Sequence, residues 1–149
     1  AALLATLAIA LIIFCVFRNL RDMALVLATL ALSALLTALF AKFAGLAINY
    51  ANIIALPLLL GVGVSFNVYF VMNFRARVRR YLSSATAHAV LFSALTTGTA
   101  FGTLAASHDR GTASMGFLLL LSLAAVLICT FLFLPALLYM LRPDDAGEA

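Results

Sequence analysis

Five long apolar runs, separated by short polar connectors, constrain this chain more than any other feature. They cover residues 1–17, 23–44, 51–74, 85–107 and 112–141. Crossing the hydrocarbon of a bilayer takes about 20 mostly apolar residues, within a range of about 17 to 25. The first run sits at the lower limit, and the last is long enough to tilt or to extend past the interface. Between them lie RNLRD, a mixed stretch around AGLAINY, RARVRRYLSS and HDRG, none with room for a folded aqueous domain. In lipid every backbone N–H and C=O needs an internal partner, so runs of this kind are predicted as helices. The expected fold is therefore an all-α membrane protein. A bundle of five transmembrane helices fills residues 1–141, and a polar cytoplasmic tail follows at 142–149.

Composition excludes the alternatives. With 66% hydrophobic and only 9% charged residues, against about 25% charged in a soluble domain, the chain cannot clothe itself for water. Its formal charge is +4, but the cations cluster between the apolar runs rather than in a nucleic-acid patch, so no nucleic-acid partner is expected. Arg18, Arg21, Arg75, Arg77, Arg79, Arg80 and Arg142 fall on one side of the predicted topology, and Lys42 and Arg110 on the other. Cation-rich loops stay in the cytoplasm; the first residue is thus expected outside and the last inside. The opening AALLATLAIALIIFCVFR has its arginine after the apolar run, whereas a signal peptide carries its charge before it. An odd number of spans with an outside start, and no initial Met, suggest a piece of a longer protein with a further crossing upstream. Cys15 and Cys129 lie inside apolar runs and read as small packing residues.

Polar and small residues inside the spans point to where any chemistry lies, because intramembrane polar groups are costly. The third span reads GVGVSFNVYF from Gly61, with Gly61 and Ser65 on one helical face and Gly63 and Asn67 on another. Ser65 and Asn67 therefore cannot address the same neighbour. Pro57, earlier in this span, removes a helix hydrogen bond and can kink it. In the fourth span Ser93, Thr96, Ala100, Thr103 and Ser107 recur at spacings of three and four, one continuous small and polar face beside Thr97. Gly98 and Gly102 form a G-x-x-x-G pair, and Gly116 opens the fifth span in GTASMG. Close helix packing is the expected role of these small residues, with a hydroxyl-lined proton path as the second use. His88 reads as an interfacial side chain. The acids Asp22, Asp109, Asp144, Asp145 and Glu148 all fall outside the expected bilayer core. Without an intramembrane acid, a nucleophile–base pair or a metal-binding pattern, neither an enzyme nor a cofactor or metal site is expected.

Three stretches together, NIIALPLLLGVGVSFNVYFVMNFRAR, AVLFSALTTGTAFGTLAAS and GTASMGFLLLLSLAAVLICTFLFLPALLYM, resemble the MMPL-like lipid transporters of the RND superfamily. The order glycine pair, SALTT, G-x-x-S-M-G, LPALL carries the likeness over roughly residues 52–141. The resemblance implies a repeat of six helices with a large extracytoplasmic domain after the first. The present chain would be the last five helices, of the second repeat. It also implies a reading of the third span. There the family commonly has G-x-G-x-D followed by an aromatic, the acid relaying protons. Here Gly61 and Gly63 are the glycines, Ser65 stands at the acid's position and Phe66 is the aromatic. The relay carboxylate is thus expected from the companion repeat, with Ser65 hydrogen-bonding its protonated form and Thr96 or Thr97 nearby.

The implied function is proton-driven export of a lipid, hopanoid-like by the resemblance, from a bacterial inner membrane. Its expected partners are that lipid, protons, the upstream repeat with its extracytoplasmic domains and, as a further option, a homo-oligomer. A lipid-binding or scaffold bundle like the sterol-sensing domains is the alternative, favoured by the missing acid. One charge crossing 100 mV supplies about 2.3 kcal/mol, whereas each CH₂ forced into water costs about 0.8 kcal/mol. A few protons cannot drive a polycyclic lipid through water, so its route must stay apolar.

Overall fold

A computed structural model describes residues 2–46, 50–75 and 85–141, all helix and short turns. The arginine-rich stretch 76–84, expected as a cytoplasmic anchor, and the tail 142–149, expected as a polar cytoplasmic end, lie outside the described residues. Six α-helical segments follow one another: α1 (Ala2–Phe17), α2 (Leu20–Phe43), α3 (Tyr50–Arg75), α4 (Ala85–Ala105), α5 (Arg110–Ile128) and α6 (Leu134–Leu141). A π-helical turn, Cys129–Phe133, joins α5 to α6, so the last two segments form one long interrupted helix and the bundle has five rods.

Three of these rods are long and apolar enough to cross a membrane: α2, α3 and the composite of α5, π-turn and α6. α1 is apolar but shorter. α4 has the length, at 21 residues, but its serines, threonines and glycines dilute its apolar character. The five rods are therefore not equivalent: α1 is short, as its position at the lower limit of spanning length implied, and α4 is long enough but not apolar enough to join the three.

Local chemistry sets the helix ends. α2 closes on Gly45, whose φ of 67° is the left-handed conformation that glycine adopts without strain. Gly45 N–H donates to Lys42 O at 3.2 Å and Leu46 N–H to Ala41 O at 3.0 Å, the paired bonds that satisfy the last carbonyls of a helix. α5 opens on Asp109, whose side chain accepts the Thr112 N–H, as an N-cap should. Between α1 and α2 stand only Arg18 and Asn19, not the five-residue loop expected. Asp22 consequently belongs to the first turn of α2 and is 1% exposed. Helical phase turns it inward against the bundle, at the end of α2 and so still near the end of a span.

α5 lies at the centre, packed along α4, α2 and α3, while α1 rests on α2 and α3. The core joins Val26 and Leu30 of α2, Phe66, Phe70 and Val71 of α3, Leu123 and Val126 of α5, and Leu134 and Leu138 of α6. Large apolar side chains on the outer surfaces, such as Leu3, Leu7, Ile54 and Leu132, stay exposed, as expected where lipid rather than water is the neighbour. Cys129 is buried and Cys15 exposed, both as free thiols.

Candidate functional site

α3 is divided lengthwise into two chemically different faces. Residues two apart on a helix point roughly 200° apart, and Ser65 and Asn67 take opposite sides accordingly. Ser65 is exposed, and its hydroxyl donates back to Gly61 O at 3.1 Å. That bond uses the hydroxyl proton but leaves the oxygen able to accept. Phe66, beside it, is buried and lines an open cleft of about 520 Å³ between α3 and α4 together with Tyr69, Ala85, Thr86, Ala89, Val90 and Ser93. At one end of this pair of helices the Thr86 hydroxyl donates to Asn73 Oδ1 at 3.2 Å, pinning α4 to α3.

Asn67 is 1% exposed. Its Oδ1 accepts the Thr130 hydroxyl at 2.9 Å, a buried bond between residues 63 positions apart. Thr130 belongs to the π-turn and was not singled out from sequence. The signal was present in Pro135: a proline has no N–H to donate and crowds the turn before it, so helices distort just upstream. Here the chain responds with a wider turn in which the Leu134 N–H donates to Cys129 O, five residues back. The polar stripe of α2 was also missed. Thr29, Ser33 and Thr37 are all buried, and each donates to its own helix, at Leu25 O, Leu30 O and Ser33 O, all at 2.8 Å.

On α4 the expected hydroxyl face exists but is not covered by this chain. Ser93, Thr96 and Thr103 are exposed and Thr97 is half-buried. Thr96 donates to Phe92 O at 2.9 Å, Thr97 to Ser93 O at 2.9 Å and Thr103 to Ala100 O at 2.7 Å. The buried side of α4 is instead Ala87, Val90 and Ala94.

The glycines separate in the same way. A Cβ on Gly63 would come within 2.7 Å of Leu30 Cδ2, and one on Gly116 within 2.6 Å of the Leu104 carbonyl carbon and into the Ala105 nitrogen. Those two glycines hold close approaches, α3 to α2 and α5 to α4. Gly98 would meet Leu123 at an ordinary 3.5 Å, while Gly61 and Gly102 have nothing within 4 Å. The tight contact of α4 therefore comes from Gly116 across from it, not from its own glycine pair.

Among the described residues no group of histidine, cysteine or acidic side chains is arranged to hold a metal. What the site offers is an outward hydroxyl acceptor at Ser65, hydroxyls on α4, and a fully buried amide–hydroxyl clasp behind them.

Residues 1–144 match the MMPL family. The chain is 47% identical to the hopanoid transporter HpnN of Burkholderia multivorans (strain ATCC 17616 / 249) over 138 residues, which is 93% of this chain and 16% of that protein. To the hopanoid transporter HpnN of Rhodopseudomonas palustris (strain TIE-1) it is 45% identical over 149 residues, 99% of this chain and 17% of that protein. The chain thus spans under a fifth of the length of these curated relatives.

Proposed function

The chain belongs to the MMPL family, a multi-pass membrane protein, and from that premise we propose that it is the membrane half of a lipid exporter driven by the proton motive force, with a hopanoid-like lipid as cargo. The reading places it in a bacterial inner membrane, with its first residue outside and its last in the cytoplasm. It is a transporter rather than an enzyme. Its working partners are the companion repeat and the extracytoplasmic domains of the longer protein.

The observation that carries this is the outward aim of Ser65. A serine whose proton is already bonded to Gly61 O can still accept from an incoming O–H, and a protonated carboxylic acid on a facing helix is such a donor. When that acid loses its proton the bond from it is lost, so Ser65 favours the protonated state. The exposed hydroxyls of Ser93, Thr96 and Thr103 offer further acceptors to the companion repeat. The proton-carrying acid comes from that repeat, and Ser65 stands where this repeat would carry its own. The cargo follows an apolar route, because the proton motive force cannot meet the cost of wetting a polycyclic lipid.

The test is discharge of an imposed pH gradient by the full-length protein in liposomes containing a pentacyclic triterpenol, followed with a trapped pH-sensitive dye. Ser65→Ala should slow discharge about fivefold, the worth of one modest hydrogen bond. Removing the companion repeat's acid should abolish it. Equal and complete loss from both changes would overturn this division of labour; no discharge by the unaltered protein would favour the scaffold alternative.

A further inference from the structure

The buried stripe of the composite helix shifts phase at the π-turn. Up to that point its buried positions, Gly116, Leu119, Ser122, Leu123, Ala125, Val126, Cys129 and Thr130, follow ordinary helical spacing. Continued at the mean helical period, the next inward position would be Phe133. The structure instead exposes 44% of Phe133 and buries Leu134 and Leu138 at 0% and 1%. The turn has taken in one additional residue, which is what a single π-turn does to an α-helix.

That residue changes what the turn can hold. Its consecutive residues Thr130 and Phe131 both grip α3, and on one face of it. Thr130 donates to Asn67 at 2.9 Å, and the Phe131 ring meets Phe70 edge-on, with centroids 4.9 Å apart and planes at 71°. Asn67 and Phe70 are three residues apart, so they share a face. A polar bond and an aromatic contact, one turn apart along α3, oppose rotation of that helix about its axis. Ser65 lies on the far side from Asn67, so its aim follows that rotation.

We infer that the π-turn is a positioning device for α3: Thr130 and Phe131 fix the rotational setting of that helix and thereby aim Ser65 outward. Thr130 and Asn67 are positioning residues in this account, since neither reaches the surface that Ser65 presents. The assignment of Ser65 to proton relay rests on the function proposed above; the rotational clamp itself does not.

The experiment uses the full-length protein with its native cysteines replaced and Ser65→Cys introduced. The readout is the rate at which N-ethylmaleimide labels position 65. Thr130→Val keeps the shape but removes the hydroxyl, and should change that rate about fivefold, the ratio expected for losing one net hydrogen bond. Thr130→Ser should restore the original rate. Asn67→Ala should match Thr130→Val, with no further change in the double variant, because both remove the same bond. Rates unchanged in Thr130→Val and Asn67→Ala would overturn the clamp, as would a Thr130→Ser variant indistinguishable from Thr130→Val. Should Thr130→Val fail to assemble, Phe131→Leu takes its place; it must move the rate in the same direction, and an unmoved rate overturns the proposal. In the pH-gradient assay, with Ser65 in place, Thr130→Val should shift the pH of half-maximal discharge and Thr130→Ser should not. Absence of discharge in the unaltered protein would remove the relay reading while the labelling result still decides the clamp.

Discussion

α2 and α4 carry nearly the same chemistry and come to opposite ends. Each bears hydroxyls at helical spacing: Thr29, Ser33 and Thr37, four apart, on one, and Ser93, Thr96 and Thr103, three and seven apart, with Thr97 beside them, on the other. Thr29, Ser33 and Thr37 on α2 and Thr96, Thr97 and Thr103 on α4 donate back to carbonyls of their own helix, at 2.8 Å throughout on α2 and 2.7 to 2.9 Å on α4. The α2 stripe is buried in the bundle, while the α4 hydroxyls Ser93, Thr96 and Thr103 look outward. A back-bonded hydroxyl has already satisfied its proton, so it tolerates either protein or lipid beside it. A run of hydroxyls therefore marks a possible contact face without saying what fills it. What holds α4 to the bundle is the close approach at Gly116 and the alanine- and valine-lined side.

The largest effect should come from closing that approach. Gly116→Ala places a methyl group against the α4 backbone at Leu104 and Ala105, which cannot give way as a flexible side chain would. A loss of about 3 kcal/mol, the upper part of the range for overpacking, is expected in detergent unfolding. Gly102→Ala, with open space around it, should be neutral or stabilising by about 0.5–1 kcal/mol through helix propensity. Equal losses from the two would place the hold on α4 at its own glycine pair after all.

The stripes themselves can be set against each other next. Ser33→Leu adds bulk inside a filled core and should cost about 1–3 kcal/mol. Thr96→Leu, on the exposed side, should stay within about 0.5 kcal/mol. If Thr96→Leu leaves stability alone yet stops transport by the full-length protein, a companion helix covers that face in the working assembly. If stability and transport are both untouched, the α4 face meets only lipid.

The smallest effect belongs to the turn between α4 and α5. The Thr112 hydroxyl, at 2.7 Å, and then the Thr112 N–H, at 2.9 Å, bond Asp109 and hold its carboxyl below the ordinary value of 3.8. A depressed folded-state value means that the cap contributes fully above 3.8 and is lost as the pH falls through the lower folded value. Protection of the first-turn amides of α5, measured against their intrinsic exchange rates, should therefore fall only in that acid range, and Asp109→Asn should erase the step. A step that survives Asp109→Asn arises elsewhere.

The helical bundle was legible because the bilayer leaves a long apolar run so few choices. Backbone groups without water must pair within the segment, and the five runs become five rods with ends close to those expected. The inward turn of Asp22 was not legible, since RNLRD reads as a loop until the helix is seen to begin at Leu20. Nor was the role of Asn67. Its separation from Ser65 is written in the spacing, but its partner lies 63 positions away on a turn whose geometry depends on Pro135.

What the amino-acid order determined by itself is the kind of object: membrane-spanning helices, the family, and the opposite faces of Ser65 and Asn67, because these follow from hydrophobicity, motif order and helical period. Which hydroxyls are buried, which glycines bear close contacts, and how a widened turn reaches α3 were decided only by the tertiary structure. Those depend on which helix lies against which, and in an apolar medium shape and hydrogen bonding, rather than the burial of grease, make that choice.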